Sequence, residues 1–357
     1  MNREITEILS TKKRGFAAAL LRLSLRIAAV FYGLAIRLRN VAYDRGWKKT
    51  ERATLPVISL GNLTTGGTGK TPFAAFVARW FRERGVRVCF LSRGYGADDR
   101  GVNDEALVLD QLCPDVPHLQ NPDRVAAARI AHEELDSQLL LLDDGFQHRR
   151  LARDLDIVLI DATNPWGFGH LLPRGLLREP LAGLRRADIV VITRVDQASR
   201  DDVEAIRRRV LQVHPQCAIA RATFPPIRLI NSSGTTAKLE SLAGQTVAAF
   251  CGIGNPVAFR ASLEKLDWQI ADFRSFPDHH QYTRADVEDL ERWSRSLPVA
   301  AVVCTQKDLV KIGLERLGDH PLWAVAIGTE LTVGASDLDL QLSAVLKMIQ
   351  SATASGP

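Results

Sequence analysis

Cysteine pairs, internal repeats and low-complexity tracts are all missing from this chain of 357 residues. Its five cysteines, Cys89, Cys113, Cys217, Cys251 and Cys304, are scattered with no CxxC spacing, which excludes a zinc knuckle or a disulfide framework and fits a reducing compartment. A uniform excess of positive charge is also missing. Of the net +5, the first fifty residues carry +8, so the remainder carries −3. That asymmetry argues against a nucleic-acid-binding surface and for one basic N-terminal module that meets something anionic. Disorder is excluded by a hydrophobic content of 46%, and the length suits roughly two domains.

What the N-terminus does contain is a helical pattern from Gly15 to Asn40, with Phe16, Leu20, Leu23, Ile27, Phe31, Leu34 and Leu38 three or four residues apart. Arg22 and Arg26 interrupt it, each costing about 2.5–3.5 kcal/mol near a bilayer centre, and the apolar run Ile27 to Ile36 is too short to span. The segment is expected to lie in a membrane interface, with Lys12, Lys13, Arg14, Arg37, Arg39, Lys48 and Lys49 facing an anionic leaflet. The plainer reading is a helix packed on the protein's own core. No clean small-residue cleavage site follows, which argues against a signal peptide.

Beyond it, short strand-like runs alternate with helical ones. Strands are expected at Leu55–Leu60, Arg87–Leu91, Leu139–Asp143, Asp156–Ile160, Asp188–Thr193 and Cys217–Thr223, with helices at Pro72–Arg84 and Asp201–Val213. This is an α/β pattern, a mostly parallel sheet of the P-loop type covered by helices on both faces. Pro, Ser, Thr and Gly dominate 224–246, which reads as a linker or β-ribbon. A second, smaller α/β domain is expected over 247–335, with strands near Thr246–Cys251, Asp267–Phe273, Ala300–Thr305 and Trp323–Ile327 and helices at Val257–Leu266 and Arg284–Ser296. The division is therefore 1–50 basic amphipathic segment, 51–223 P-loop domain, 224–246 ribbon, 247–335 smaller domain and 336–357 C-terminal helix and tail.

The strongest chemical signal is Ser59-Leu60-Gly61-Asn62-Leu63-Thr64-Thr65-Gly66-Gly67-Thr68-Gly69-Lys70-Thr71-Pro72, between a β-branched strand and an amphipathic helix. Glycines let the backbone curl until several N–H groups face phosphate oxygens, and the helix adds its positive end. Gly66, Gly67, Thr68, Gly69 and Lys70 are the expected phosphate contacts, and Thr71 the Mg²⁺ ligand. Strict consensus wants glycine where Thr64 stands, so the loop is a variant. A plain glycine turn would explain neither Lys70 nor Thr71. The apolar run Leu139–Leu142 ends in Asp143-Asp144-Gly145-Phe146-Gln147-His148, where an acid at a strand tip would hold Mg²⁺ beside the loop threonine. The alternative is a pair of exposed carboxylates capping a turn.

These segments, with Ser92-Arg93-Gly94-Tyr95-Gly96, Leu172-Pro173 through Leu177-Arg178-Glu179-Pro180, Gly252-Ile253-Gly254-Asn255-Pro256, Phe276-Pro277-Asp278-His279 and Thr305-Gln306-Lys307-Asp308, resemble the tetraacyldisaccharide 4′-kinase family over most of the chain. The resemblance implies transfer of the ATP γ-phosphoryl to the 4′-hydroxyl of a tetraacylated glucosamine disaccharide 1-phosphate, giving lipid IVA, at the cytoplasmic face of a bacterial inner membrane. It implies ATP and Mg²⁺, an acylated disaccharide lipid and an anionic membrane leaflet as partners, and no obligate protein partner. By motif it places a general base at Asp104 and its orienting partner at His279. Alone, Asp104 reads as a solvated loop acid, and nothing chooses between His279 and His280. Arg178 is the candidate for neutralising charge on the transferring group. Glu179, Gln147, His148, Arg93 and Tyr95 are candidate substrate contacts. The sequence departs from the family pattern at Asn103, Ala106, Arg174, Leu176 and Phe168-Gly169-His170, where glycine, proline, alanine, proline and an Asn-Gly pattern are usual.

Two other readings carry weight: a soluble P-loop kinase for a small molecule, and a membrane-associated nucleotide switch or metal-delivery GTPase. Guanine recognition would want Asn-Lys-x-Asp. Thr193-Arg194-Val195-Asp196 and Thr305-Gln306-Lys307-Asp308 only half match it, which favours ATP.

Overall fold

The computed structural model describes residues 9–10, 15–94, 104–278 and 280–354. Tyr95, Gly96, Asn103 and His279, each cited above, lie outside the described residues.

The chain falls into two compact units, and the division is not contiguous in sequence. The larger takes residues 2–95, 113–223 and 330–357, the smaller 96–112 and 224–329.

The larger unit is an eight-stranded sheet. Its strands are β1 (Val57–Asn62), β2 (Val88–Ser92), β3 (His118–Gln120), β4 (Leu139–Asp143), β5 (Leu155–Asp161), β6 (Ile189–Thr193) and β7 (Ala218–Thr223), closed by the late strand Glu330–Val333. They run in the order Glu330–Val333, β7, β6, β5, β1, β4, β2, β3, parallel apart from the antiparallel last strand on β7. β1, β2, β4 and β6 are buried at every position, as expected of strands covered on both faces. β3 and the edge strand Glu330–Val333 are additions to the expected set. Both are short and half polar, so neither shows an apolar run.

β1 pairs with β4 on one side and β5 on the other, and Leu60 is level with Asp143. The chain leaves β1 toward β2 in one direction and β4 toward β5 in the other. The glycine loop and the acid pair thus emerge side by side where strand order reverses, the usual place for a ligand in such a sheet.

Its helices are α1 (Phe16–Asp44), then α2 (Lys70–Arg82), one at Arg124–Glu133, one at Arg200–Val213 and one at Ala335–Ala354. α1 runs four residues past the expected Asn40. Every three or four residues, Ala18, Arg22, Leu25, Ala29, Gly33, Ile36 and Asn40 turn inward, while Phe16, Leu20, Leu23, Ile27, Phe31, Leu34 and Leu38 are each more than half exposed. Length and mean hydropathy would let it cross a membrane. Its inward side is nonetheless tied down: Tyr32 Oη donates to the Arg178 carbonyl at 2.8 Å, Arg39 to the Gln147 carbonyl at 2.6 Å, and Asn40 to Glu179 at 3.4 Å.

The smaller unit contains β8 (Pro226–Ile230), β9 (Thr236–Ala237), β10 (Thr246–Cys251), β11 (Gln269–Ser275), β12 (Ala301–Thr305), β13 (Arg316–Leu317) and β14 (His320–Ile327), which makes the Glu330–Val333 strand β15. Its sheet runs β11, β10, β12, β14, β8, β9, with β13 beside β14. β8 and β9 lie in the Pro- and Gly-rich stretch 224–246. They form an antiparallel ribbon, and β8 also hydrogen-bonds to β14, so this stretch belongs to the second sheet. Asp104–Leu112, outside this stretch in sequence, is this unit's first helix.

The strand carrying the glycine loop is wedged against the motif after β4. A Cβ on Gly61 would fall 2.4 Å from Phe146 Cβ and 2.8 Å from its backbone nitrogen. Gly61→Ala is therefore expected to destabilise the chain by about 1–3 kcal/mol, read as a lowered denaturant midpoint at unchanged slope.

Candidate functional site

α2 differs from other helices of the chain at its start. Asp123, Ser199, Asn255, Thr283 and Thr305 each cap a helix with a side-chain oxygen. α2 begins after Gly69, which takes left-handed φ 86 and offers no side-chain cap, and its first turn holds no acid. Its first N–H groups are thereby left to an anion.

The loop before it is braced from below. Asn62 Nδ2 lies 3.3 Å from the Gly66 carbonyl and 3.2 Å from Thr68 Oγ1, and Thr193 Oγ1 donates to the Thr68 carbonyl at 2.9 Å. Gly66 adopts φ 114, and a Cβ at Gly66 or Gly67 would meet nothing within 4 Å. Thr64, where consensus wants glycine, sits in an antiparallel bridge with Leu177, an extended conformation open to any residue. Thr65 N–H to the Leu176 carbonyl (2.8 Å) and Arg178 N–H to the Leu63 carbonyl (2.7 Å) complete that pairing. The variant position is thus what brings Arg178 to the loop.

Asp144 is the hub. Arg178 Nη1 reaches both its oxygens at 2.7 and 2.6 Å, and Lys70 Nζ lies 3.5 Å away. Burial alone would raise the Asp144 pKa, but the two cations outweigh it and hold the carboxyl below its usual range. Asp143 is buried, and its Oδ1 accepts the Asp144 N–H at 3.0 Å. Thr71 is buried at the start of α2.

The residues expected at the phosphate and metal positions are therefore together: Gly66, Gly67, Thr68, Gly69, Lys70, Thr71, Asp143 and Asp144, with Arg178. Among the described residues no group of three or more His, Cys, Asp or Glu side chains could hold a metal by itself. A hydroxyl, one or two carboxylates and a lysine at an uncapped helix start fit Mg²⁺ that arrives on nucleotide phosphates, because Mg²⁺ usually takes few protein ligands.

The candidate substrate contacts separate. Glu179 is only 2% exposed. Its oxygens accept from Arg186 (2.8 Å), Gln147 (2.8 Å) and Asn40, and Arg186 also stacks on Phe146. Gln147 spans from Glu179 to the Asn62 carbonyl at 2.9 Å. Arg93 is exposed, and Tyr95 is outside the described residues. Arg124, which no motif signalled, is 5% exposed with its Nε unpartnered; burial lowers its pKa, while the Asp144 and Asp143 charges pull it back up.

In the smaller unit, Asp104 opens its helix and pairs with Lys311 at 2.7 Å, both side chains largely buried; Glu105 pairs with Lys307 at 3.0 Å. Burial disfavours the Lys307 cation, but Glu105, with Asp278 and Asp104, raises its pKa overall. His279, the expected partner of Asp104, lies outside the described residues. His280 is hydrogen-bonded to Asp286 at 3.2 Å and stacked on Phe276. Lys307 stands in the Thr305-Gln306-Lys307-Asp308 segment quoted above without a role of its own, and Lys311, one helical turn further on, went unnoticed in the sequence.

The model of the tetraacyldisaccharide-1-P 4′-kinase family matches residues 21–347. A tetraacyldisaccharide 4′-kinase of Anaeromyxobacter sp. (strain K) is 40% identical, covering 94% of this chain and 93% of that protein. One from Syntrophus aciditrophicus is 40% identical over 83% and 86%. A crystal structure of LpxK from Aquifex aeolicus in complex with ATP superposes with a TM-score of 0.72 at 30% identity, covering 92% of this chain and 99% of the other.

His148 is half-buried, with its Nε2 unpartnered. Burial, then the charges of Arg124, Arg153, Arg39 and Arg150, lower its pKa to about 4. Its ring should stay neutral in an NMR titration down to about pH 4. A ring that is neutral when folded but protonates near pH 6.5 when unfolded contributes stability that is complete above about 6.5 and is lost as pH falls toward 4. His148→Phe should flatten that limb of the stability curve.

Proposed function

Because this chain belongs to the tetraacyldisaccharide-1-P 4′-kinase family and carries out ATP-dependent phosphorylation of the 4′-hydroxyl of a tetraacylated disaccharide 1-phosphate in lipid A biosynthesis, we propose how its own residues divide that work. The observation that carries the reading is the shared carboxylate of Asp144, which fixes Lys70 and Arg178 at the uncapped start of α2.

The N–H groups of Gly66 to Lys70 and the Lys70 ammonium hold the nucleotide phosphates, and Thr71 with Asp143 or Asp144 holds Mg²⁺. When bound, Mg²⁺ neutralises charge that develops on the phosphate oxygens. Arg178 offers a second cation to the transferring group. Asp104 accepts the proton of the sugar 4′-hydroxyl as its oxygen bonds to the γ-phosphorus and the bond to the departing ADP oxygen breaks. Transfer of this kind passes through a loose transition state, so Asp104 acts mainly by positioning the nucleophile. The ion pair with Lys311 supports that role by orienting the carboxylate; His279 is proposed as a second orienting group. Gln147, His148, Arg93 and Tyr95 are proposed acceptor contacts. Glu179, buried and with its oxygens taken, is proposed as a positioning residue that holds Arg186 and Gln147.

We further propose that α1 rests on the cytoplasmic leaflet of the inner membrane through its outward apolar side. The polar ties from Tyr32, Arg39 and Asn40 oppose full immersion, because a helix surrounded by lipid could not keep them.

With γ-labelled ATP, Mg²⁺ and the tetraacyldisaccharide 1-phosphate in micelles, Asp104→Asn should lower transfer by at least about 10³-fold while ATP affinity stays within about threefold. Lys70→Ala should weaken both. Wild-type turnover in either variant would remove that residue from its role. For the membrane reading, Phe31→Glu with Leu34→Glu, two exposed positions, should release the chain from floating vesicles; unchanged flotation would overturn it.

A further inference from the structure

Three segments singled out in the sequence, Gly252 to Pro256, the one that begins at Phe276, and Thr305 to Asp308, meet at one buried carboxyl of the smaller unit. Asp308 is wholly enclosed, and both its oxygens are taken. Oδ1 accepts the Gly252 N–H at 2.9 Å and the Tyr282 hydroxyl at 2.9 Å, and Oδ2 accepts the Thr305 hydroxyl at 2.6 Å. Gly252 follows directly on β10, and its missing side chain lets the groups converge: a Cβ there would lie 3.1 Å from Asp308 Oδ1, 3.2 Å from Tyr282 Oη and 3.3 Å from His280 Cβ. Burial, then the Asp308 charge, raise the Tyr282 pKa, so this hydroxyl keeps its proton and stays a donor. Phe276 stands edge-on to the Tyr282 ring, 5.2 Å between centres, and its own N–H donates to the Cys251 carbonyl at 2.8 Å.

Asp308 sits in the first turn of the helix Gln306–Ile312, which Thr305 caps. The same helix holds the segment that opens with Asp104. Gln306 donates to Gln111 at 3.0 Å, Lys307 pairs with Glu105 at 3.0 Å, and one turn further on Lys311 pairs with Asp104 at 2.7 Å. A helix of seven residues has little stability of its own, so its seat is set by what its side chains hold. Leu309 adds apolar packing, which is non-directional; the hydrogen bonds of Asp308 fix the helix in rotation and register. Where that first turn sits decides where Lys311 stands, and a misplacement of about 1 Å near reacting groups costs on the order of 10²-fold in rate.

We propose that Asp308 is a positioning residue for phosphoryl transfer, which seats the Gln306–Ile312 helix so that Lys311 holds the Asp104 carboxylate in its working orientation. This rests on the reading of Asp104 as the base and assigns Asp308 no contact with either substrate.

The test uses the full chain with Asp308→Ala, with Tyr282→Phe, which removes a single donor, and with each of these placed on Asp104→Asn. Turnover is expressed per ATP-binding site titrated in the same sample, and near-ultraviolet circular dichroism checks the fold, so that lost protein does not count as lost rate. Asp308→Ala should lower kcat about 10²-fold and Tyr282→Phe about fivefold, with KM for ATP and for the acceptor within about threefold of wild type. On Asp104→Asn neither change should cost more than about twofold further, since the group being positioned is gone. A kcat within about twofold of wild type in both variants, beside a large loss in Asp104→Asn, overturns the proposal and leaves the base reading standing. An undiminished further loss on Asp104→Asn also overturns it, because Asp308 then acts through another group or through the fold at large. Should Asp308→Ala fail to fold, Tyr282→Phe decides alone. Wild-type turnover in Asp104→Asn would instead bring down the base reading, and this proposal with it.

Discussion

A single carboxylate shared by two cations organises the candidate nucleotide site of this protein. Asp144 takes Arg178 through both oxygens and Lys70 through one, and each partner arrives by a different route: Asp144 from the end of β4, Lys70 from the start of α2, Arg178 from the segment paired with the glycine loop. Two positive charges so close to one another repel, and the carboxylate is what makes their proximity affordable before phosphate arrives. The side-by-side exits of β1 and β4 follow from the strand order, so the fold delivers the charges and the carboxylate keeps them there.

Much of this was readable in advance because it rests on short-range rules. Apolar five-residue runs that end in glycine or aspartate become buried parallel strands, and Gly66 to Thr71 between strand and helix reads as a phosphate loop on residue chemistry alone. Central strands were legible for the same reason that edge strands were not. β3 and β15 have little apolar surface, and their existence depends on a neighbour that only the folded sheet supplies. The ribbon of β8 and β9 was visible as a ribbon, yet its bond to β14, nearly a hundred residues away, had no local signature.

The site divides along the same line. Lys70, Thr71, Asp143 and Asp144 are legible from motif spacing. The Thr64 variation became intelligible only with its bridge to Leu177, since the demand for glycine there vanishes once the backbone is extended. Lys311 and Arg124 were missed because an isolated basic residue in a helix has many ordinary uses, and only its burial reveals a particular one. Glu179, beside Arg178 in sequence and a candidate substrate contact there, is enclosed by Arg186, Gln147 and Asn40.

The grip of α1 on the body has one further implication. Tyr32 and Arg39 end on the carbonyl oxygens of Arg178 and Gln147, and Arg149 returns the gesture to the carbonyl of Asn40. A carbonyl is supplied by any amino acid. Relatives can therefore exchange the side chains at the receiving positions without loosening the helix, while the donors on either side are held to types that can reach. Attachment of the helix therefore puts no constraint on which side chain stands at those receiving positions.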